Sequence, residues 1–250
     1  MSDPRAFVSQ SELNDRTNLE TVQLGGLSRL EFHCGRRAYQ VNGEKHRYDF
    51  FFDAKDVRLP LIVFGQGAQD RGQVQLPRFQ RMDWSRALPY NVMIFNDPTL
   101  FCSDDLTLGW CAGTADYPVL PTHVEIVMAA AKFLWIEPRN ILFYGSSAGG
   151  FTSLMLSSMI QGSSALVNNP QTDIFRFKRG GVKRLLEVAF PSYSPRDLNT
   201  IARDRFSFVE RVRMGDHLPN IYYLQNLLDD DHVVDQMNPL LSALQGRLRG

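Results

Sequence analysis

Two short stretches of the chain carry side chains that could do chemistry together. In "GSSAG", Gly145 to Gly149, Ser147 stands at the centre of a Gly-x-Ser-x-Gly pattern, after the apolar run "NILFY" and before "FTSLMLSSMI". A strand, a sharp turn and a helix in that order present one hydroxyl at the end of a sheet. The turn is tight enough that the residues two before and two after the serine must lack bulk, which explains Gly145 and Gly149. The helix start behind the serine aims backbone N–H groups at the same point, where developing negative charge is stabilised. The same residues would also suit a close-packed crossover with no chemistry.

A serine hydroxyl needs a general base within hydrogen-bond reach, and histidine is the usual choice. Of the five histidines, His33 and His46 fall in N-terminal strands, His123 opens a helix as a capping or surface residue, and His217 precedes a strand at its wrong end. His232, in "DDDH" after the apolar run "NIYYLQNLL", falls at the sheet edge where the serine turn emerges. The acid that orients it comes from Asp229, Asp230 or Asp231 on the same loop, or from Asp173 after the preceding strand. Asp231 adjoins His232, so in extended chain the two side chains diverge. A turn would bring Asp229 back onto the imidazole.

The elements that must position these groups follow from the apolar runs. "RLPLIVFG", "YNVMIF", "RNILFYG", "SSALVNN" and "PNIYYL" are short and apolar, bounded by turn residues, as expected of strands buried on both faces. "PTHVEIVMAAAKFLWI" and "SAGGFTSLMLSSMI" between them have helical spacing. The alternation predicts an α/β fold, a mostly parallel central sheet flanked by helices. Around Gly35, "LSRLEFHCGRRAYQVNG" alternates like a hairpin, and "HRYDFFFDA" continues with another strand. Residues 1–24 read as a polar arm and 25–250 as one domain. Within it, residues 173–217 break the rhythm as a helical cap insertion over the carboxyl edge of the sheet. Ser194-Pro195 there looks like a helix start, serine as N-cap and proline first in the helix. The arginines of this segment suit a solvated helical face or an anionic substrate group.

With these residues in view, the chain resembles the α/β-hydrolase superfamily of serine esterases, lipases, peptidases and acyltransferases. The resemblance covers residues 30 to 245 in element order and is motif-specific at the serine turn and near the C-terminus. It implies Ser147 as nucleophile and the Ala148 N–H as one oxyanion donor. The second donor would lie in the loop after an earlier central strand, here "FGQGAQ", which makes Gln66, or its neighbour Gly67, the candidate. "GWCAG" and "NNPQT" would line the substrate pocket through Trp110, Asn169 and Gln171, together with Gly67. The superfamily separates acid and histidine by a strand, and no strand remains here after Pro239. A D-x-x-H pair on one loop is similar to the SGNH hydrolases, whose nucleophile nevertheless lies near the N-terminus. "GSSAGG", "NPQ" and "QNxxDxxH" together look similar to bacterial hydrolase-fold proteins associated with surface glycans.

Bulk properties bound the function. Lys plus Arg and Asp plus Glu stand at 27 each, so no global field recruits nucleic acid or an anionic membrane. The N-terminus lacks the apolar core of a signal peptide, and no apolar stretch reaches the roughly 18 residues of a membrane span. Three cysteines without metal spacing read as reduced thiols in a cytoplasmic protein, each by default a small buried hydrophobe. No cofactor and no metal are expected. Two functions fit. One is a serine hydrolase or acyltransferase on a small-molecule or glycan acyl substrate, working through an acyl-enzyme. The other is a hydrolase-fold binding or accessory protein with a degenerate site.

Overall fold

The apolar runs form strands because each alternates its side chains between two covered faces. In the computed structural model, which describes residues 21–178, 180–215 and 217–249, Leu61 and Val63 of one strand pack into the larger core while Ile62 and Phe64 pack into the smaller one. Phe50 and Phe52 against Phe51, and Met93 and Phe95 against Val92 and Ile94, divide the same way. Burying one such aromatic side chain contributes about 1.5–3 kcal/mol, so a slip of one residue, which exchanges the faces, is heavily disfavoured.

The strands are β1 (Thr21–Leu24), β2 (Gly35–Asn42), β3 (Arg47–Ala54), β4 (Leu61–Phe64), β5 (Asn91–Phe95), β6 (Ile141–Ser146), β7 (Ser164–Asn168) and β8 (Asn220–Leu224). They make one eight-stranded sheet in the order β1-β2-β3-β5-β4-β6-β7-β8. The β2–β3 and β3–β5 pairs are antiparallel, and every pair from β5 through β4, β6 and β7 to β8 is parallel. The parallel run brings the carboxyl ends of five strands to one edge, where an open α/β sheet places its ligands.

Helices α1 (Leu120–Phe133) and α2 (Ala148–Met159) follow the predicted periodicity. Between β7 and β8 lie α3 (Val182–Ala189), α4 (Pro195–Ile201) and α5 (Phe208–Met214), and α6 (Asn238–Arg249) ends the described chain. Ser194 caps α4 in a full capping box with Asp197. The segment 173–217 divides its loyalties. Its first part lies against the carboxyl-edge connection that follows β5: α3 packs on the turn Pro98–Cys102, and Arg205 donates to the carbonyls of Ala112, Thr114 and Ala115. Its last helix, α5, packs instead on α6 and α2.

Four expectations need correction. The hairpin turn falls at residues 43–46, between β2 and β3, and Gly35 opens β2. Residues 21–24 of the arm pair in parallel with β2 as β1, and residues 1–20 lie outside the described residues. His123 is fully buried between the rings of Tyr48 and Phe95 rather than capping a helix at the surface. Cys34 is exposed and Cys102 partly so, leaving only Cys111 as a buried thiol.

Candidate active site

Three glycines crowd together to form the serine turn. A Cβ on Gly145 would stand 2.2 Å from the Gly149 carbonyl carbon, one on Gly149 2.5 Å from the Gly65 oxygen, and one on Gly65 2.2 Å from the Gly149 oxygen. Gly65 is therefore glycine because the exit of β4 presses on the serine turn, a packing reason the sequence alone left open. Ser147 takes φ 55° and ψ −124°. This is a conformation a side-chain-bearing residue holds at a cost of about 1–3 kcal/mol, typical of functional sites. Its neighbour Ser146 points elsewhere and accepts a 2.8 Å hydrogen bond from Arg81.

Ala148 opens α2 and is buried, so its N–H is one of the helix's four without an intrahelical partner. Across the turn, the Gly67 N–H donates to Gln80 Oε1 at 2.9 Å, which spends it. The Gln66 N–H donates to nothing among the described residues, while its backbone carbon lies close to Gly149. Of the two residues named for the second oxyanion donor, the one with a free N–H is Gln66. Its side chain is a strut: it donates to the Arg78 carbonyl and accepts from the Asp97 N–H, tying the exits of β4 and β5.

His232 is buried on the loop after β8, beside Phe177 at a ring separation of 6.2 Å. Its Nδ1 stands 3.0 Å from Asp229 Oδ2. The N–H direction there is not aligned as a hydrogen bond, and catalytic hydrogen bonds are often poorly aligned before substrate arrives. Asp230 and Asp231 are exposed on the same turn. Asp173, the other acid considered, accepts from Ser207 Oγ and the Phe175 N–H instead. Burial pushes its carboxyl up from the usual range, with hydrogen bonds and two arginines opposing.

Ser147 and His232 meet through a third group. The Gln171 side-chain nitrogen lies 2.9 Å from Ser147 Oγ and 3.0 Å from His232 Nε2, and no direct hydrogen bond joins serine and histidine among the described residues. The indole N–H of Trp110 donates to Gln171 Oε1 at 3.1 Å. An indole can only donate, so it fixes the carboxamide with oxygen toward Trp110 and NH₂ toward the site. An NH₂ can only donate in turn, so His232 Nε2 carries the lone pair and Nδ1 the proton that faces Asp229. Both Trp110 and Gln171 are fully buried. The Gln171 amide lies between the serine and the histidine and Trp110 stands behind it, so neither lines an open pocket. Asn169, also expected in the pocket, accepts from the Asn226 N–H at 2.7 Å and joins the exits of β7 and β8.

One part of the site escaped sequence reasoning. Asp97 is fully buried and accepts from the N–H groups of Thr99 and Cys111, which shapes the loop that carries Trp110. A Cβ on Gly109 would sit 2.5 Å from the Asp97 carboxylate, so the first glycine of "GWCAG" was the available signal.

No protein-family model matches the chain, and no curated protein matches it. Solved structures do. The capsule O-acetyltransferase of Neisseria meningitidis serogroup A superposes with a TM-score of 0.67 at 16% identity, over 88% of this chain and 85% of that one. A variant of that acetyltransferase solved in complex with CoA gives 0.68. A putative carboxylesterase from Lactobacillus plantarum gives 0.54 at 12% identity, over 86% and 84% of the two chains. Prolyl oligopeptidase B from Galerina marginata gives 0.57 at 12% identity, over 85% of this chain and 31% of that one. At these identities the likeness establishes architecture, and the chain has the α/β-hydrolase fold.

Proposed function

We propose that the chain is a serine-dependent acyl-transfer enzyme. It takes an acyl group from an ester onto Ser147 and passes it to water or to a hydroxyl of a polar, glycan-like acceptor. The observation that carries this reading is the convergence at one sheet edge of a strained Ser147, a His232 whose Nε2 lone pair faces it across the Gln171 amide, and an Asp229 carboxylate 3.0 Å from Nδ1. Ser147 Oγ attacks the acyl carbon as its proton passes to His232 Nε2, and the Asp229 carboxylate stabilises the imidazolium. The Ala148 and Gln66 N–H groups receive the oxyanion. The bond to the alkoxide breaks, the alkoxide takes the proton from His232, and the acyl-enzyme remains. Water or an acceptor hydroxyl then repeats the sequence in reverse. Gln171 donates to the base's lone pair, so its hydrogen bond to Nε2 yields before the proton moves.

The likeness to a capsule O-acetyltransferase and to a carboxylesterase supports this class of chemistry, and the former favours a hydroxyl acceptor on a surface polymer. A second reading has one observation behind it: serine and histidine bond to Gln171 and not to each other, as expected of a spent site in an accessory protein. Burst kinetics with 4-nitrophenyl acetate separate the two. The enzyme releases one equivalent of nitrophenol rapidly per Ser147, and Asp229→Asn lowers turnover about 10⁴-fold. An accessory protein gives no burst, and its slow background is indifferent to Asp229→Asn.

A further inference from the structure

Away from the serine, the segment between β7 and β8 forms a solvent-open cleft of about 1110 Å³ between α3, α4 and the turn at Asp173 to Arg176. None of the groups at the serine, histidine or Gln171 lines it. That volume lies just above the roughly 300–1,000 Å³ usual for small-molecule sites. Val182, Leu186 and Phe190 give it an apolar wall, and Phe190 is fully buried. Arg176, Arg196, Arg203 and Lys183 line it with positive charge against the carboxylates of Asp173 and Glu187, and Glu187 is already paired with Lys183 and Arg184.

Those guanidinium groups have donors to spare. Arg176 Nε and Arg203 Nη2 stand 3.8 and 3.9 Å from Asp173 Oδ2, too far for hydrogen bonds, and Asp173 is already satisfied by Ser207 and Phe175. Arg203 Nη2 reaches Glu210 at 3.2 Å, yet its Nε is buried with no acceptor. The Arg196 guanidinium meets no acceptor among the described residues. Of these donors only Arg203 Nε is buried, and a buried donor without a partner costs about 1–3 kcal/mol, so an acceptor supplied from outside is favoured there, with the exposed Arg176 and Arg196 adding charge beside it.

We propose that this cleft is a binding site for an organic phosphate ester, with the phosphate held by Arg176, Arg196 and Arg203 and its apolar body against Val182, Leu186 and Phe190. Guanidinium forks match phosphate oxygens in pairs, and three of them suit a group with several equivalent oxygens better than a carboxylate with two. The apolar wall excludes inorganic phosphate as the preferred occupant, because a free anion leaves that surface uncovered. The site is independent of the acyl-transfer reading, since its residues are not those that surround Ser147.

Calorimetric titration of the full chain with octyl phosphate, octanol and inorganic phosphate tests it. Octyl phosphate binds at least tenfold more tightly than either fragment. Arg196→Gln and Arg176→Gln, both at exposed positions, each weaken it about tenfold. Fluorophosphonate labelling of Ser147, measured on the same samples, stays at the unsubstituted rate, so a failure of the cleft is distinguishable from a failure of the catalytic site. Octyl phosphate binding that competes with sedimentation on phosphatidic-acid vesicles assigns a membrane headgroup as the source. Binding without sedimentation assigns a soluble phosphoester, and either supports the site. Octyl phosphate binding no tighter than octanol, or indifferent to both substitutions, overturns it.

Discussion

Removing the Gln171 side chain should make Ser147 more reactive toward a small reagent while making the fold less stable. Its NH₂ donates to Ser147 Oγ and to His232 Nε2, and each neutral hydrogen bond of this kind contributes about 1 kcal/mol net. In Gln171→Ala the base no longer has to surrender a partner before it accepts the serine proton. The barrier to phosphonylation then falls by up to about 2 kcal/mol, a rate gain of up to roughly 30-fold. The same substitution strands the buried Trp110 indole N–H at a cost of about 1–3 kcal/mol, or several degrees in Tm. Adding Trp110→Phe removes the stranded donor and should recover part of that loss. The assay is the second-order rate of inactivation by a small uncharged fluorophosphonate at fixed pH, with thermal unfolding in parallel. A 100-fold slower inactivation in well-folded Gln171→Ala would show that the amide assembles the site rather than obstructs it.

His123 is buried with neither ring nitrogen partnered, and burial pulls its pKa down to about 3. The unfolded chain, with a normal histidine near 6.5, binds the proton first, so this group subtracts stability as pH falls from about 6.5 toward 3, by up to ~1.4 kcal/mol per pH unit. His123→Leu should flatten the acid limb of a urea-unfolding series by that slope; an unchanged limb would count against the buried neutral ring. Arg205 holds the carbonyls of residues 112, 114 and 115, and burial lowers its pKa only to about 10, so it stays charged at neutral pH. Arg205→Leu should lose about 2–4 kcal/mol and raise amide exchange in residues 112–115 first, whereas uniform exchange would deny it that local role. Gly149→Ala should fail to yield folded protein, because the new methyl meets the Gly65 carbonyl; a native circular dichroism spectrum would contradict that packing.

The central strands were legible because burial on both faces leaves an uninterrupted apolar run, and the serine turn was legible because two glycines stand where no Cβ fits. His232 and Asp229 followed from their place after the last strand. What escaped had no local signature. β1 is four residues long and is held by its pairing with β2 more than by its own pattern. The link from Trp110 through Gln171 to His232 spans 61 residues at each step, so no window of sequence contains it. His123 sat on a helix start with the polarity of a surface residue. Its burial follows from how α1 lies on Tyr48 and Phe95, which is a property of the packed sheet.

The claim that Ser147 is the nucleophile is tested most directly by mapping the fluorophosphonate adduct by peptide mass spectrometry. One adduct is expected, on Ser147, lost in Ser147→Ala and retained in Ser146→Ala, because the native Ser146 hydroxyl is turned to Arg81. An adduct on Ser146, or none on a folded sample, would contradict it.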